Sequence, residues 1–246
     1  MDRRRALTAS EDEAYRLAQQ SASEVTPSRH DFSLYVSTQK QQLAVIARLG
    51  STEVLPGQRW GTAELVAHAR ACDDAEVAAL AVTGGVGGLS MDHLAAVAAA
   101  TTAPVLRDDP IVHPSQLYEA RLHGADAVLF ALAELGANTL QELVGIARSL
   151  HMTTVLEVLS EAQIEDALDL PHVILGLRCT DGNGALDVKR TRQLAQQLPR
   201  HRTLIVLPEI RAAEEYAALD GVCDAVVIGE ALLSQVDEAL RRITGS

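Results

Sequence analysis

The stretch "PVLRDDPIVHPSQLYEARLHGADAVLF" (104–130) brings Asp108, Asp109 and His113 to the end of one short apolar run. Two carboxylates and an imidazole, with Glu157 as a fourth donor, are the groups that hold a divalent cation. The same residues have a plainer use. Asp-Asp-Pro is a good turn, and an Asp or His just before Pro114 caps a helix. The cap is the favoured reading for Asp109 and His113, and no metal is assigned.

Other groups invite the same comparison. Glu157 lies in "TTVLEVL" (153–159), where a carboxylate among apolar residues needs a reason. It is either a site carboxylate or the ion-pair partner of Arg178. "TGGVGGLS" (83–90) would suit an anion cradle, but a flexible loop is favoured. "CTDGNGALD" (179–187) reads as a turn and helix cap, being too short and carboxylate-poor for a calcium loop. Cys179 has no histidine fixed beside it and reads as a bystander. His93, His123, His151, His172 and His201 fall on helices or at strand starts and read as surface or satisfied groups. Lys40 and Lys189 are the only lysines; the remaining basic residues are arginine. Lys40 precedes the first strand and Lys189 lies near a helix start, so a Schiff-base or lysine-acid mechanism is disfavoured.

The elements that position these groups alternate regularly. Apolar runs at 43–49, 77–83, 104–107, 126–133, 153–159, 172–177, 203–207 and 224–229 predict strands. Amphipathic segments near 62–72, 89–100, 114–123, 138–150, 160–169, 187–198, 211–219 and 230–242 follow them. Runs apolar on both faces are expected of a parallel sheet covered by helices. The α/β expectation is a (β/α)₈ TIM barrel over 43–246, with a helical extension and clasp over 1–42. That extension has helical spacing over 9–26 and a linker or clasp over 27–38. An open doubly wound sheet is the rival, but "GSTEVLPGQRW" after the first strand lacks its glycine fingerprint. "HGADAVLF" and "GVCDAVVIG" echo each other before strands four and eight, as repeated units or converged turns would.

Bulk properties narrow the partners. The 246 residues carry a formal charge of −12, which argues against nucleic acid. With 3% aromatic residues, the core must be aliphatic. No apolar run reaches membrane-spanning length, so no membrane partner is expected. Three scattered cysteines and an N-terminus that does not read as a secretory signal make the cytoplasm the expected location. No cofactor is expected.

The order of strand ends resembles the indole-3-glycerol phosphate synthase family. The 103–130 stretch is similar to that family's third and fourth units, and "LHMTTVLEVLSEAQIEDAL" to its fifth. "VILGLR", "DAVVIGEALL" and the early N-terminal helix match in place. The resemblance implies ring closure of a carboxylated anilino-deoxyribulose phosphate with loss of carbon dioxide and water. Carried over, the strand-one glutamate and lysine fall on Val45 and Ala47, and the general-acid lysine falls on Asp108. The strand-five glutamate is kept as Glu157. The strand-six asparagine and arginine fall on Arg178 and Thr180, and the Glu-Ser-Gly after strand seven falls on Leu207, Pro208 and Glu209. The phosphate loop falls near Gly50, Ser51 and Thr52, which keep hydroxyls, and Gly229 survives after strand eight.

The sequence therefore predicts a diverged member that has lost the parent reaction and serves as a binding or regulatory subunit with a protein partner. A repurposed enzyme is the alternative, in which Asp108, Glu157, Arg178 and Glu209 act on a small phosphorylated or aromatic ligand. A still-active carbon–carbon lyase ranks third, because too many charged roles need replacement.

Overall fold

The computed structural model describes residues 25–28, 30–37, 43–50, 61–84 and 89–229. Eight parallel strands close on themselves in chain order: β1 (Ala44–Leu49), β2 (Ala79–Val82), β3 (Val105–Pro110), β4 (Ala127–Ala131), β5 (Thr153–Val158), β6 (Val173–Leu177), β7 (Leu204–Ile210) and β8 (Ala225–Ile228). The last pairs with the first through Ala44 with Ala225 and Ala47 with Ile228. Helices α2 (Thr62–Asp74), α3 (Met91–Ala100), α4 (Pro114–Leu122), α5 (Ala137–Ser149), α6 (Ala162–Leu168), α7 (Val188–Ala195) and α8 (Ala213–Leu219) follow the first seven strands. A 3-10 turn at Leu132–Glu134 leads into α5. This is the (β/α)₈ barrel that the alternation of runs predicts. The helical segment expected at 230–242, and most of that at 9–26, lie outside the described residues.

Strand parity divides the apolar residues into two cores. Ile46, Ala81, Leu106, Leu129, Val155, Ile174, Ile205, Leu207 and Val227 fill the barrel. Their neighbours of opposite parity, such as Val45, Val105, Phe130, Leu156 and Val226, pack under the helices. This follows from side chains alternating across a pleated strand.

The segment read as a linker or clasp contains a short helix, α1 (Phe32–Ser37). Asp31 Oδ1 accepts from the amides of Ser33 and Leu34 at its start. Phe32 and Val36 are fully buried and join the inner core, so α1 plugs the N-terminal end of the barrel. In a chain with two phenylalanines, one is spent on this plug.

The echoed phrases do the same work twice. Asp126 Oδ2 accepts from the amide of Val105, the first residue of β3. Asp224 Oδ2 accepts from the amide of Leu204, the first residue of β7. Both of those strands also shift register near their C-terminal ends, between Arg107 and Pro110 and between Val206 and Glu209. Asp126 carries more: Ser28 Oγ donates to it, and His30 and Arg121 pair with it, which fastens the N-terminal segment to the barrel.

Candidate functional site

A strand that points a residue into the barrel points the residue two places on into the mouth. Inward parity therefore delivers Arg48 after Ile46, Asp108 after Leu106, Glu157 after Val155 and Glu209 after Leu207. Arg178 follows β6 on the same parity, and Thr83 follows β2. In a barrel of this kind the C-terminal strand ends are where sites are built.

These groups form one ionic chain across the mouth. Arg48 Nε donates to Asp108 Oδ2 at 2.7 Å, and Arg48 Nη2 donates to the Leu207 carbonyl at 3.0 Å. Arg48 Nη1 lies 3.6 Å from Glu209 Oε1. Thr83 Oγ1 donates to the same Asp108 oxygen at 3.2 Å. Arg178 Nε pairs with Glu157 Oε2, and its Nη2 lies 3.9 Å from Asp108 Oδ1. The Asp108 side chain is 2% exposed, Arg48 13% and Arg178 31%. The four residues predicted to share a polar mouth, Asp108, Glu157, Arg178 and Glu209, thus lie in one network. Arg48 and Thr83, which sequence reasoning passed over, complete it. The signal for Arg48 was present: an arginine inside "LAVIARL" cannot face an apolar layer without a partner.

The carry-over on strand one needs correction. Val45 and Ala47 were matched to family residues that work in the mouth, but both are buried under the helices. Arg48 is the β1 residue that reaches the site. Ser51 and Thr52 lie outside the described residues, as does Lys40. Gly50, just before them, has φ +145°, and a Cβ there would come within 2.5 Å of the Thr83 carbonyl oxygen. Gly229 follows β8 at the mouth, and the Glu209 carboxylate occupies the space where a Cβ would stand.

Asp109 is also placed differently from expectation. It does not start a helix. Its carboxylate accepts from the Gly84 amide at 2.8 Å and 3.0 Å. Burial pushes its carboxyl above the usual range; Asp108 adds to this, while the Gly84 amide and Arg107 oppose it. The first amide of the glycine-rich loop is therefore occupied by an anion of the protein itself. His113 does cap α4: its Nδ1 accepts from the Ser115 amide, and Gln116 accepts from the Val112 and His113 amides. Arg107 faces outward, to the Gln116 carbonyl and Glu119.

The remaining candidates are structural in their contacts. Asp181 accepts from Asn183 and Ala185 within its own turn, and Asp187 accepts from Arg190 at the start of α7. Cys179 is fully buried, and burial raises its thiol. Lys189 is exposed on α7. Among the described residues, no three His, Cys, Asp or Glu side chains converge as metal ligands, and no helix is long and apolar enough to cross a membrane.

Fold and site define the class: a (β/α)₈ barrel with a charged mouth at the strand C-termini. Solved structures share the barrel. A tryptophan synthase α-subunit mutant from Pyrococcus furiosus aligns with TM-score 0.62 at 15% identity, covering 82% of this chain and 98% of that one. N-acetylmannosamine-6-phosphate 2-epimerase from Clostridium perfringens aligns with TM-score 0.61 at 14% identity, covering 89% and 98%. At such identities the likeness is one of fold alone. The indole-3-glycerol phosphate synthase family model matches residues 1–243, and the chain belongs to that family. Indole-3-glycerol phosphate synthase of Mycolicibacterium smegmatis is 37% identical over 151 residues, 60% of this chain and 55% of that protein. The enzyme of Acidithiobacillus ferrooxidans is 34% identical over 155 residues, 61% of this chain and 59% of that protein. The matched stretch thus spans little more than half the length of these relatives.

Proposed function

We propose that this family member does not carry out the decarboxylative ring closure and acts as a non-catalytic binding or regulatory subunit. One observation carries the reading. Asp108, at the position where the resemblance implies a lysine acid, accepts from Arg48 and Thr83. A general acid must hold a proton and release it to the substrate at a defined point. A carboxylate engaged as an acceptor in an internal ion pair has none to release. The lysine among the described residues, Lys189, sits on the exposed side of α7.

Electrostatics favour the same reading. Among the described residues, Asp108, Glu157 and Glu209 outnumber Arg48 and Arg178, a negative balance that repels a substrate bearing a phosphate and a carboxylate. Glu209 covers the Gly229 backbone, where an incoming anion would need room.

A second reading has its own support. Asp108 Oδ1 is buried and makes no hydrogen bond, although Arg178 Nη2 stands 3.9 Å away. An unspent buried acceptor beside a half-exposed guanidinium suits a repurposed enzyme that takes a small polar metabolite. Equilibrium binding tests the first reading. Inorganic phosphate and the carboxyphenylamino-deoxyribulose phosphate should show no binding tighter than about 1 mM that Arg178→Gln removes, a standard free energy weaker than about −4 kcal/mol. Micromolar binding of the sugar phosphate that Arg178→Gln abolishes would overturn it.

A further inference from the structure

We infer that the N-terminal face of the barrel carries a second site, unrelated to the mouth, for a small polyanion such as a phosphate ester or polycarboxylate. A cavity of about 920 Å³ opens there between the α1 plug and the turns that lead into β5, β6 and β7. That is the volume of a metabolite site. Four of the eight histidines line it: His30, His151, His172 and His201. Arg148 and Arg202 line it as well. In a chain with net charge −12, such a concentration of cationic and cation-forming groups is out of keeping with the rest of the molecule.

The competing negative groups are already engaged. Asp31 is the carboxylate on the cavity wall, and its Oδ1 caps α1 by accepting from Ser33 and Leu34. Asp126 is taken by Ser28, Arg121, the Val105 amide and His30 itself, which leaves His151, His172 and His201 as the histidines turned to a ligand. Helix C-termini turn carbonyls toward this face, which would repel an anion. Arg202 covers those at the end of α6 and the start of β6, donating to Leu170 and Val173 at 3.0 Å and 3.2 Å and reaching Leu168 at 3.5 Å. Arg148, exposed in the last turn of α5, has no ion pair among the described residues and is left for a ligand.

His151 and His172 sit at φ 57° and 61°, the left-handed conformation that Glu76 also takes at φ 59° in the helix-to-strand turn before β2. His151 lies two residues before β5 and His172 immediately before β6. Glycine or asparagine would be easier there, yet both positions present an imidazole to the cavity.

Histidine changes charge between about pH 5 and 8, so a site built this way takes anions better on the acid side. The test is isothermal titration of the full chain with pyrophosphate and with citrate at pH 6 and pH 8. The variants are Arg148→Gln and the double substitution His151→Asn with His172→Asn; asparagine tolerates the left-handed backbone. The expected result is binding at pH 6 that weakens at least about tenfold at pH 8, and at least about tenfold at pH 6 in either variant, a change of about 1.4 kcal/mol. No binding at pH 6, or binding equal in wild type and both variants, would mean an adventitious ion only and overturn the proposal. Because the mouth residues are unchanged in every protein, the result is independent of the reading given for that site.

Discussion

Arg48 Nε lies 2.7 Å from Asp108 Oδ2, a bond that ties β1 to β3 across the barrel mouth with both groups largely out of water. Removing one partner of a buried pair leaves the other charge uncompensated, at about 3–5 kcal/mol. Asp108→Asn strands Arg48 in this way, and urea unfolding should show a loss of about 3 kcal/mol. Arg178 is 31% exposed and glutamine keeps a donor for the buried Glu157, so Arg178→Gln should cost less than Asp108→Asn, about 1–2 kcal/mol. Equal costs for the two variants would show that the network does not hold the mouth as described.

Asp109 gives a pH dependence of opposite sign to the usual acid effect. Its folded carboxyl is raised by burial, so between its unfolded and folded values the folded state holds a proton that the unfolded state has lost. Stability from this group falls as pH rises from its unfolded value through its folded value. Asp109→Asn keeps an oxygen for the Gly84 amide and removes the buried charge. The variant should gain on wild type at pH 7, and the gain should shrink toward about pH 4, near the ordinary carboxyl value. Paired urea melts at the two pH values measure it; a variant that gains more at pH 4 than at pH 7 refutes the assignment.

Gly50 joins β1 to the loop before the mouth at φ +145°, against the Thr83 backbone. Gly50→Ala puts a methyl group within 2.5 Å of the Thr83 carbonyl oxygen and asks an L residue to hold a strained backbone. A loss of about 2–3 kcal/mol in denaturant unfolding is expected, from steric overlap and special-φ strain together. A loss under about 0.5 kcal/mol, the range of ordinary surface changes, would contradict this geometry.

Asp126 and Asp224 occupy equivalent turns but carry unequal loads. Asp126 serves Val105, Ser28, His30 and Arg121, whereas the Asp224 carboxylate accepts from the Leu204 amide. Asp126→Ala should cost about 3 kcal/mol and Asp224→Ala about 1 kcal/mol, the difference between a charged hub and one ordinary hydrogen bond. Limited proteolysis adds a second readout: cleavage near residues 25–31 should accelerate in the Asp126 variant alone.

Much of the barrel was legible because its strands obey one rule. Eight aliphatic runs, each followed by a helical pattern, leave few other folds, and the structure places every strand within a few residues of its run. The α1 plug was not legible, since six residues with Phe32 and Val36 on one side resemble a loop until the barrel bottom is there to receive them. At the mouth, Glu157 and Asp108 announced themselves as charges in apolar surroundings. Arg48 gave the same signal, but family positions assigned to Val45 and Ala47 drew attention one residue away. Asp109 looked like a cap because it stands shortly before Pro114, where a helix begins. Its true partner, the Gly84 amide, comes from the preceding β/α unit, a contact that only closure of β2 against β3 creates.

The central claim is that the closed ionic mouth does not perform the family's ring closure. The direct measurement is indole-glycerol phosphate fluorescence during incubation of the purified chain with carboxyphenylamino-deoxyribulose phosphate. The account predicts no product above a protein-free blank, a rate at least about 10⁴-fold below the ~10 s⁻¹ typical of enzymes. Product formation that Glu157→Gln abolishes would contradict it.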